Sequence, residues 1–432
     1  MSEDVKSQRT LHPSFDRRGL RLEIDGRQLR AFRSDLAPFY RALIEQPEVE
    51  RLFEAGLVRT WISDVKVEGF DLVLESERIP VVTYPLEWPT AVLREAGLVT
   101  ARLGRALAGL GLGLSDAHPW NVLFDGTRGV WIDLGSIVPM TNVSRSWVRE
   151  FRRDIVLPLV LHSIGWHGLG DSMMSTFRTK GAKAHWDRRP LRYLVPPGFS
   201  RISLGARPSV AFFGKLIAYL EHLRPHGGRT KWSSYPQREG ARVGDEAAYN
   251  GKQTAVDGFL KELPAGLLLD VGANRGWYSE LAAQHGHRVV ALDTDDLAMS
   301  ELFVLAQQQQ LKIQPLRMDI MWPTGSHGMN LAYKGAPERL NSDASMFLAI
   351  LHHLAAQGIS FEIFASTVDR FTRSAAIVEF VPRDDSYVSQ WPISREPWYD
   401  LDHLIEAMAP YFTRVDVRPS SPAPRQLLLF RR

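Results

Sequence analysis

Not one of the 432 residues is a cysteine. Disulfides, thiolate metal sites and cysteine nucleophiles are therefore excluded, and a reducing compartment is compatible. No charge sign dominates: 52 basic against 49 acidic side chains leave a formal net charge of +3, too small to point to nucleic acid. The longest apolar stretch, Ile155 to Ile164, is interrupted by Pro158 and His162 and is too short to cross a bilayer. The opening Met-Ser-Glu-Asp-Val-Lys has none of the basic-then-apolar character of a signal peptide. There is no internal repeat, heptad pattern or low-complexity tract. The thirteen histidines form no His-Glu-x-x-His or comparable metal pattern. These absences predict a cytoplasmic globular protein with no metal, no membrane and no nucleic-acid partner.

What is present is ordinary globular composition, 44% hydrophobic and 23% charged, enough to bury a core without staples. The length suggests two or three domains. Residues 224–244 carry prolines, glycines and charges without period, the signature of a linker. They divide the chain into 1–223 and 245–432.

The most informative stretch is 267–296. Leu267 to Leu269 form an apolar run before Asp270, as a buried parallel strand would. Gly272 and Gly276 permit a tight turn and close approach of a ligand. Trp277 to Gln284 follows as a helix ended by Gly286, and Arg288 to Leu292 is a second strand with Asp293 at its carboxyl end. Ligands bind at that edge of open α/β sheets, and a carboxylate there can accept both hydroxyls of a ribose diol. The pattern is Asp-x-Gly-x-x-x-Gly, not the Gly-x-Gly-x-x-Gly of a dinucleotide site. A carboxylate inside the turn repels a pyrophosphate and welcomes a cation.

This stretch resembles motif I of class I S-adenosylmethionine-dependent methyltransferases. The downstream order is similar. Leu311 to Met318 reads as a third strand before Asp319-Ile320, Ala344 to Leu351 as a fourth ending in His352-His353-Leu354, and Ala375 to Val381 as a fifth. Thr413 to Arg418 and Gln426 to Arg431 read as a closing antiparallel hairpin. The resemblance implies a Rossmann-like α/β domain, mostly parallel with an antiparallel last strand. It implies S-adenosyl-L-methionine as cofactor, held by Asp270, Gly272, Ala273, Asn274 and Gly276, by Asp293 and Thr294 at the ribose, and by Asp319 and Ile320 at the adenine. Methyl transfer to an oxygen or nitrogen of a small-molecule acceptor follows as the expected reaction. His352, His353 and Glu379 are the candidate bases, since a histidine titrates near neutrality. Against this, the histidines could pack at the sheet edge or cap a helix, and Glu379 faces either the pocket or a helix.

The upstream half resembles protein and small-molecule kinases over Leu114 to Gly135. Asp116 stands for the catalytic aspartate, Asn121 for the metal-binding asparagine, and Asp133-Leu134-Gly135 for the metal-binding turn. Such a half is α+β, and its groups hold magnesium on phosphates. Leu20 to Asp25 and Gln28 to Arg33 read as paired strands, Leu36 to Glu54 as a helix, Asp71 to Tyr84 as two strands, Tyr84 to Trp88 as a hinge, and Val92 to Leu110 as a helix. Arg33 falls where the phosphate-pairing lysine is expected, and no Gly-rich loop precedes it. The half is accordingly expected to be degenerate and accessory; phosphotransfer from magnesium-ATP, or a binding protein with no catalysis, are the alternatives. The combination resembles a bacterial family of methyltransferase fusions related to a nodulation protein.

Overall fold

The computed structural model describes residues 9–11, 19–144, 147–175, 208–223 and 241–432. The amino-terminal half builds an antiparallel sheet from β1 (Arg9–Leu11), β2 (Leu20–Ile24), β3 (Arg27–Phe32), β4 (Thr60–Ile62) and β5 (Leu72–Ser76), in the order β1-β2-β3-β5-β4. Asp25 and Gly26, both at positive φ (51° and 78°), make the two-residue turn between β2 and β3, the backbone that matches strand twist. The expected single helix over Leu36 to Glu54 is two, Ala37–Glu45 and Val49–Glu54. Pro47 explains the break: the residue before a proline avoids helical backbone, and Gln46 is extended at ψ 144°. Only one strand, β5, lies within 71–84; its partner β4 comes from upstream.

Helix Thr90–Gly109 forms the spine of this half and is buried along most of its length. A side chain at Gly104 would collide with the Phe213 ring, so the glycine lets helix Val210–His222 pack closely. Beyond the spine lie β6 (Leu112–Leu114), β7 (Val122–Asp125), β8 (Arg128–Trp131) and β9 (Ile137–Pro139), pairing as β6-β9 and β7-β8.

The carboxyl-terminal half holds β10 (Leu267–Val271), β11 (Arg288–Asp293), β12 (Ile313–Arg317), β13 (Ser342–Phe347), β14 (Thr372–Phe380), β15 (Arg414–Pro419) and β16 (Gln426–Arg431). They form one sheet in the order β12-β11-β10-β13-β14-β16-β15. All pairs from β12 to β14 are parallel, and β16 runs antiparallel to both neighbours. The chain leaves β10 toward β12, then returns to place β13 on its other side. That reversal opens a crevice at the carboxyl ends of β10 and β13, with the end of β11 beside it. β13 ends at Phe347, four residues before the expected Leu351. Ala349 at φ 54° turns the chain, so Leu351, His352 and His353 open helix Leu351–Ala356 instead.

The two halves share a core. Helix Thr90–Gly109 packs against helix Asp296–Gln308, and Phe124 meets Phe303 edge-on with centroids 6.1 Å apart. Glu87 and Arg339, almost fully buried, form an ion pair across the joint, and Gln314 donates to Thr83. Of the expected linker, only 241–244 falls within the described residues. Among the described residues no helix is long and apolar enough to cross a membrane.

Candidate active site

The glycine turn after β10 is fixed by its own backbone. Gly272 and Ala273 donate to the Leu292 carbonyl at 2.9 and 3.0 Å, tying the turn to the end of β11. Gly272, Asn274 and Gly276 all adopt positive φ, 74°, 48° and 76°, the region glycine enters without strain. A side chain at Gly276 would collide with Leu302, which holds helix Trp277–Gln284 close to helix Asp296–Gln308.

Asp293 sits where β11 ends. Its Oδ2 accepts from Asn274 N–H at 2.9 Å and its Oδ1 from Asp295 N–H at 3.0 Å. A carboxylate has about four acceptor positions, so both oxygens retain capacity for a diol. Burial raises the Asp293 carboxyl above its ordinary range, and the backbone donors of Asp295 and Asn274 oppose that. Asp270, 2% exposed, accepts from Ser279 Oγ at 2.5 Å. Burial pushes its carboxyl up to about 6, against the Ser279 hydrogen bond. A cationic ligand beside it would restore the ionised form. Thr294 is exposed beside Asp293 and Ala273 is half-buried in the turn. Met318 N–H donates to the Asp293 carbonyl at 3.0 Å. That bond brings the exposed Asp319 and the buried Ile320 alongside.

His352 and His353 lie past β13, with ring centroids 4.2 Å apart and 5.6 and 5.2 Å from Trp391. His352 is 5% exposed and its Nδ1 is buried without a hydrogen-bond partner. Burial first, then His353, pull its imidazole down to about 3, so it is neutral at pH 7. Glu379 is fully buried on β14. Its Oε2 lies 2.9 Å from Lys252 Nζ, and its Oε1 accepts from Ser420 Oγ at 2.9 Å. Lys252 also lies 5.0 Å from the Tyr278 ring centroid, and its charge is felt at both Asp270 and His352. Sequence reasoning missed Lys252, Ser279 and Trp391. Ser279, three residues after Gly276 on the helix that follows, was the one with a positional clue.

In the upstream half Asn121 Nδ2 donates to Asp116 Oδ1 at 2.8 Å, so the two candidate residues of that half stand together. Arg33, expected at the lysine position, lies over the Phe70 ring instead. The cation that reaches the turn is Arg30, which pairs with Asp133 Oδ1 at 2.5 Å. Its guanidinium occupies the space a side chain at Gly135 would need.

No family model matches the chain. The nodulation protein NoeA of Rhizobium meliloti (strain 1021) is 26% identical over 397 residues, 84% of this chain and 79% of that protein. Three solved structures are similar in part. WbdD is 18% identical at a TM-score of 0.31, over 40% of this chain and 37% of its own. TehB from Haemophilus influenzae is 14% identical at 0.31, over 41% and 62%. The magnesium protoporphyrin IX methyltransferase ChlM from Synechocystis PCC 6803, solved with bound SAM, is 17% identical at 0.32, over 46% and 87%. This chain thus spans little more than a third of WbdD and under two thirds of TehB. The fold itself is read from the strand order. The chain is similar to NoeA over most of its length, and its mostly parallel carboxyl-terminal sheet, with the strand order of the class I methyltransferase fold, follows an α+β half.

Proposed function

We propose that the chain binds S-adenosylmethionine at the carboxyl ends of β10 and β11 and methylates an oxygen or nitrogen of a small-molecule acceptor. The observation that carries this is Asp293. It is a largely buried carboxylate at a strand end, held by two backbone donors, with acceptor capacity left on both oxygens. Asp270 inside the adjoining turn suits a positive ligand and not a pyrophosphate. In this reading Asp293 and Thr294 hold the ribose, Asp319 and Ile320 flank the adenine, and Asp270 with Gly272, Ala273, Asn274 and Gly276 cups the methionine end. The sulfonium supplies an already activated methyl group.

The chain's main task is then alignment, which supplies about 7–11 kcal/mol, against a general base worth about 3–5 kcal/mol. His352 and His353 stand at the next strand end, against the face of Trp391. Neutral His352 offers an unsatisfied nitrogen to the acceptor's proton and orients it. Glu379, engaged by Lys252 and Ser420, holds Lys252 in place and is not available as a base. We assign the upstream half an accessory role, because Arg30 already occupies Asp133. Calorimetry with S-adenosylhomocysteine tests the reading. Micromolar binding that disappears in Asp293→Ala supports it, and binding unaltered by that change overturns it.

A further inference from the structure

A second cluster lies at the joint between the halves. His162, fully buried at the end of helix Leu157–Ser163, has both ring nitrogens engaged. Its Nδ1 is 2.9 Å from Thr90 Oγ1, and its Nε2 is 3.1 Å from Asp171 Oδ1. Thr90 in turn donates its hydroxyl to Asp296 Oδ2 at 2.7 Å and its N–H to Asp296 Oδ1 at 2.9 Å.

The hydrogens can be counted. An ionised carboxylate only accepts, so the Thr90 hydroxyl hydrogen goes to Asp296. His162 Nδ1 must then donate to Thr90. Nε2 then faces a carboxylate oxygen at 3.1 Å, a contact that a proton or a metal ion on that nitrogen would each satisfy. The separation is also close to that of two donor atoms on one tetrahedral ion, roughly 3.3 Å for bonds near 2.0 Å. A metal-bound histidine that passes its other N–H to an outer hydroxyl and carboxylate is a recurrent arrangement.

Further observations point the same way. His167, from the start of helix His167–Ser175, has its ring centroid 5.0 Å from that of His162. Its Nδ1 is buried with no hydrogen-bond partner. Donor atoms of His162, His167 and Asp296 all lie within 4.8 Å of one another. Asp171 and Asp296 bring two negative charges, and among the described residues the Arg317 guanidinium pairs with them, 2.5 Å from Asp171 and 3.9 Å from Asp296. Gly170 makes the room: a side chain there would stand 2.5 Å from the His162 ring.

We propose that His162, His167 and Asp296, with Asp171 beside them, hold a divalent ion of the zinc type. Imidazole and carboxylate donors suit that class. The ion bolts the helices of the upstream half to the segment just after Asp293. No spacing in the sequence announces it, because the carboxylate comes from the other half of the chain.

The test uses the full chain, stripped with a chelator and titrated with Zn²⁺ and, for absorption, Co²⁺. The expected result is one ion per chain and a melting temperature several degrees higher with zinc. His167→Ala should abolish both, while melting close to the stripped parent when metal-free. Equal zinc uptake by parent and His167→Ala overturns the site. So does a stripped parent that takes up no ion; its Nε2 then carries a proton, visible as an imidazolium by NMR. Binding of S-adenosylhomocysteine is not an arm of this test, so its outcome is separate from that of the proposed function.

Discussion

The guanidinium of Arg30, on β3, rests on the carboxylate of Asp133, and both side chains are mostly buried; under the proposed accessory role this pairing withholds that carboxylate from a magnesium ion. The upstream half is therefore expected to show no magnesium-ATP heat in calorimetry; a saturable signal would refute that. Removing one member of a buried pair costs about 3–5 kcal/mol, discounted here to about 2–3 kcal/mol for the solvent that still reaches it. Arg30→Ala should lose that much in urea unfolding. Arg30→Met combined with Asp133→Leu should recover part of it, and additive losses would show the two are not coupled.

The two turn glycines should separate fold from binding. Gly276→Ala forces a left-handed alanine against Leu302 and should cost about 2–4 kcal/mol. Gly272→Ala has the same φ penalty but faces only Ile350 at 3.1 Å, so about 1–2 kcal/mol is expected. Gly272→Val should keep the fold and lose S-adenosylhomocysteine. Normal binding by that variant would mean the methionine end lies elsewhere.

The buried Asp270 and His352 give opposing pH signatures. The folded Asp270 carboxyl lies above its ordinary value, at about 6. Its contribution is complete below about pH 4 and disappears as pH rises through 6. The folded His352 lies below its ordinary value, at about 3. Stability is then lost as pH falls from about 6.5 toward 3. Asp270→Asn should steepen the acid loss in melting curves between pH 4 and 6, and His352→Gln should flatten it. Parallel curves for both variants and the parent would contradict the burial of these groups.

In the spine helix, Gly104→Ala should lower stability by about 1–3 kcal/mol through the clash with Phe213. Gly109→Ala, exposed with nothing within 4 Å, should raise it by up to about 1 kcal/mol. Thermal melts of the pair check the contrast.

Much of the carboxyl-terminal half was legible because its signals are local. Apolar runs marked the strands. Trp277 to Gln284 came out with its observed limits, and Asp293 stands at the strand end expected of it. The errors arose where one residue outweighs a pattern. Pro47 split a helix whose apolar spacing continued across it. Ala349 ended a strand earlier than the run of apolar residues suggested. Thr60–Ile62 was invisible because three residues show no period. The charged partnerships of Lys252 with Glu379 and of Arg30 with Asp133 join positions more than a hundred residues apart. Nothing in a linear pattern encodes such pairing.

Phe124 and Phe303 fill one apolar interior although they come from different halves. A gene cut at residue 224 would leave Phe303 and the carboxylate of Asp296 bare to water, and would strip Arg339 of Glu87. Any search for a ligand is thus best run on the uncut polypeptide, since a trimmed carboxyl-terminal half would precipitate, or bind poorly, for reasons unrelated to its chemistry.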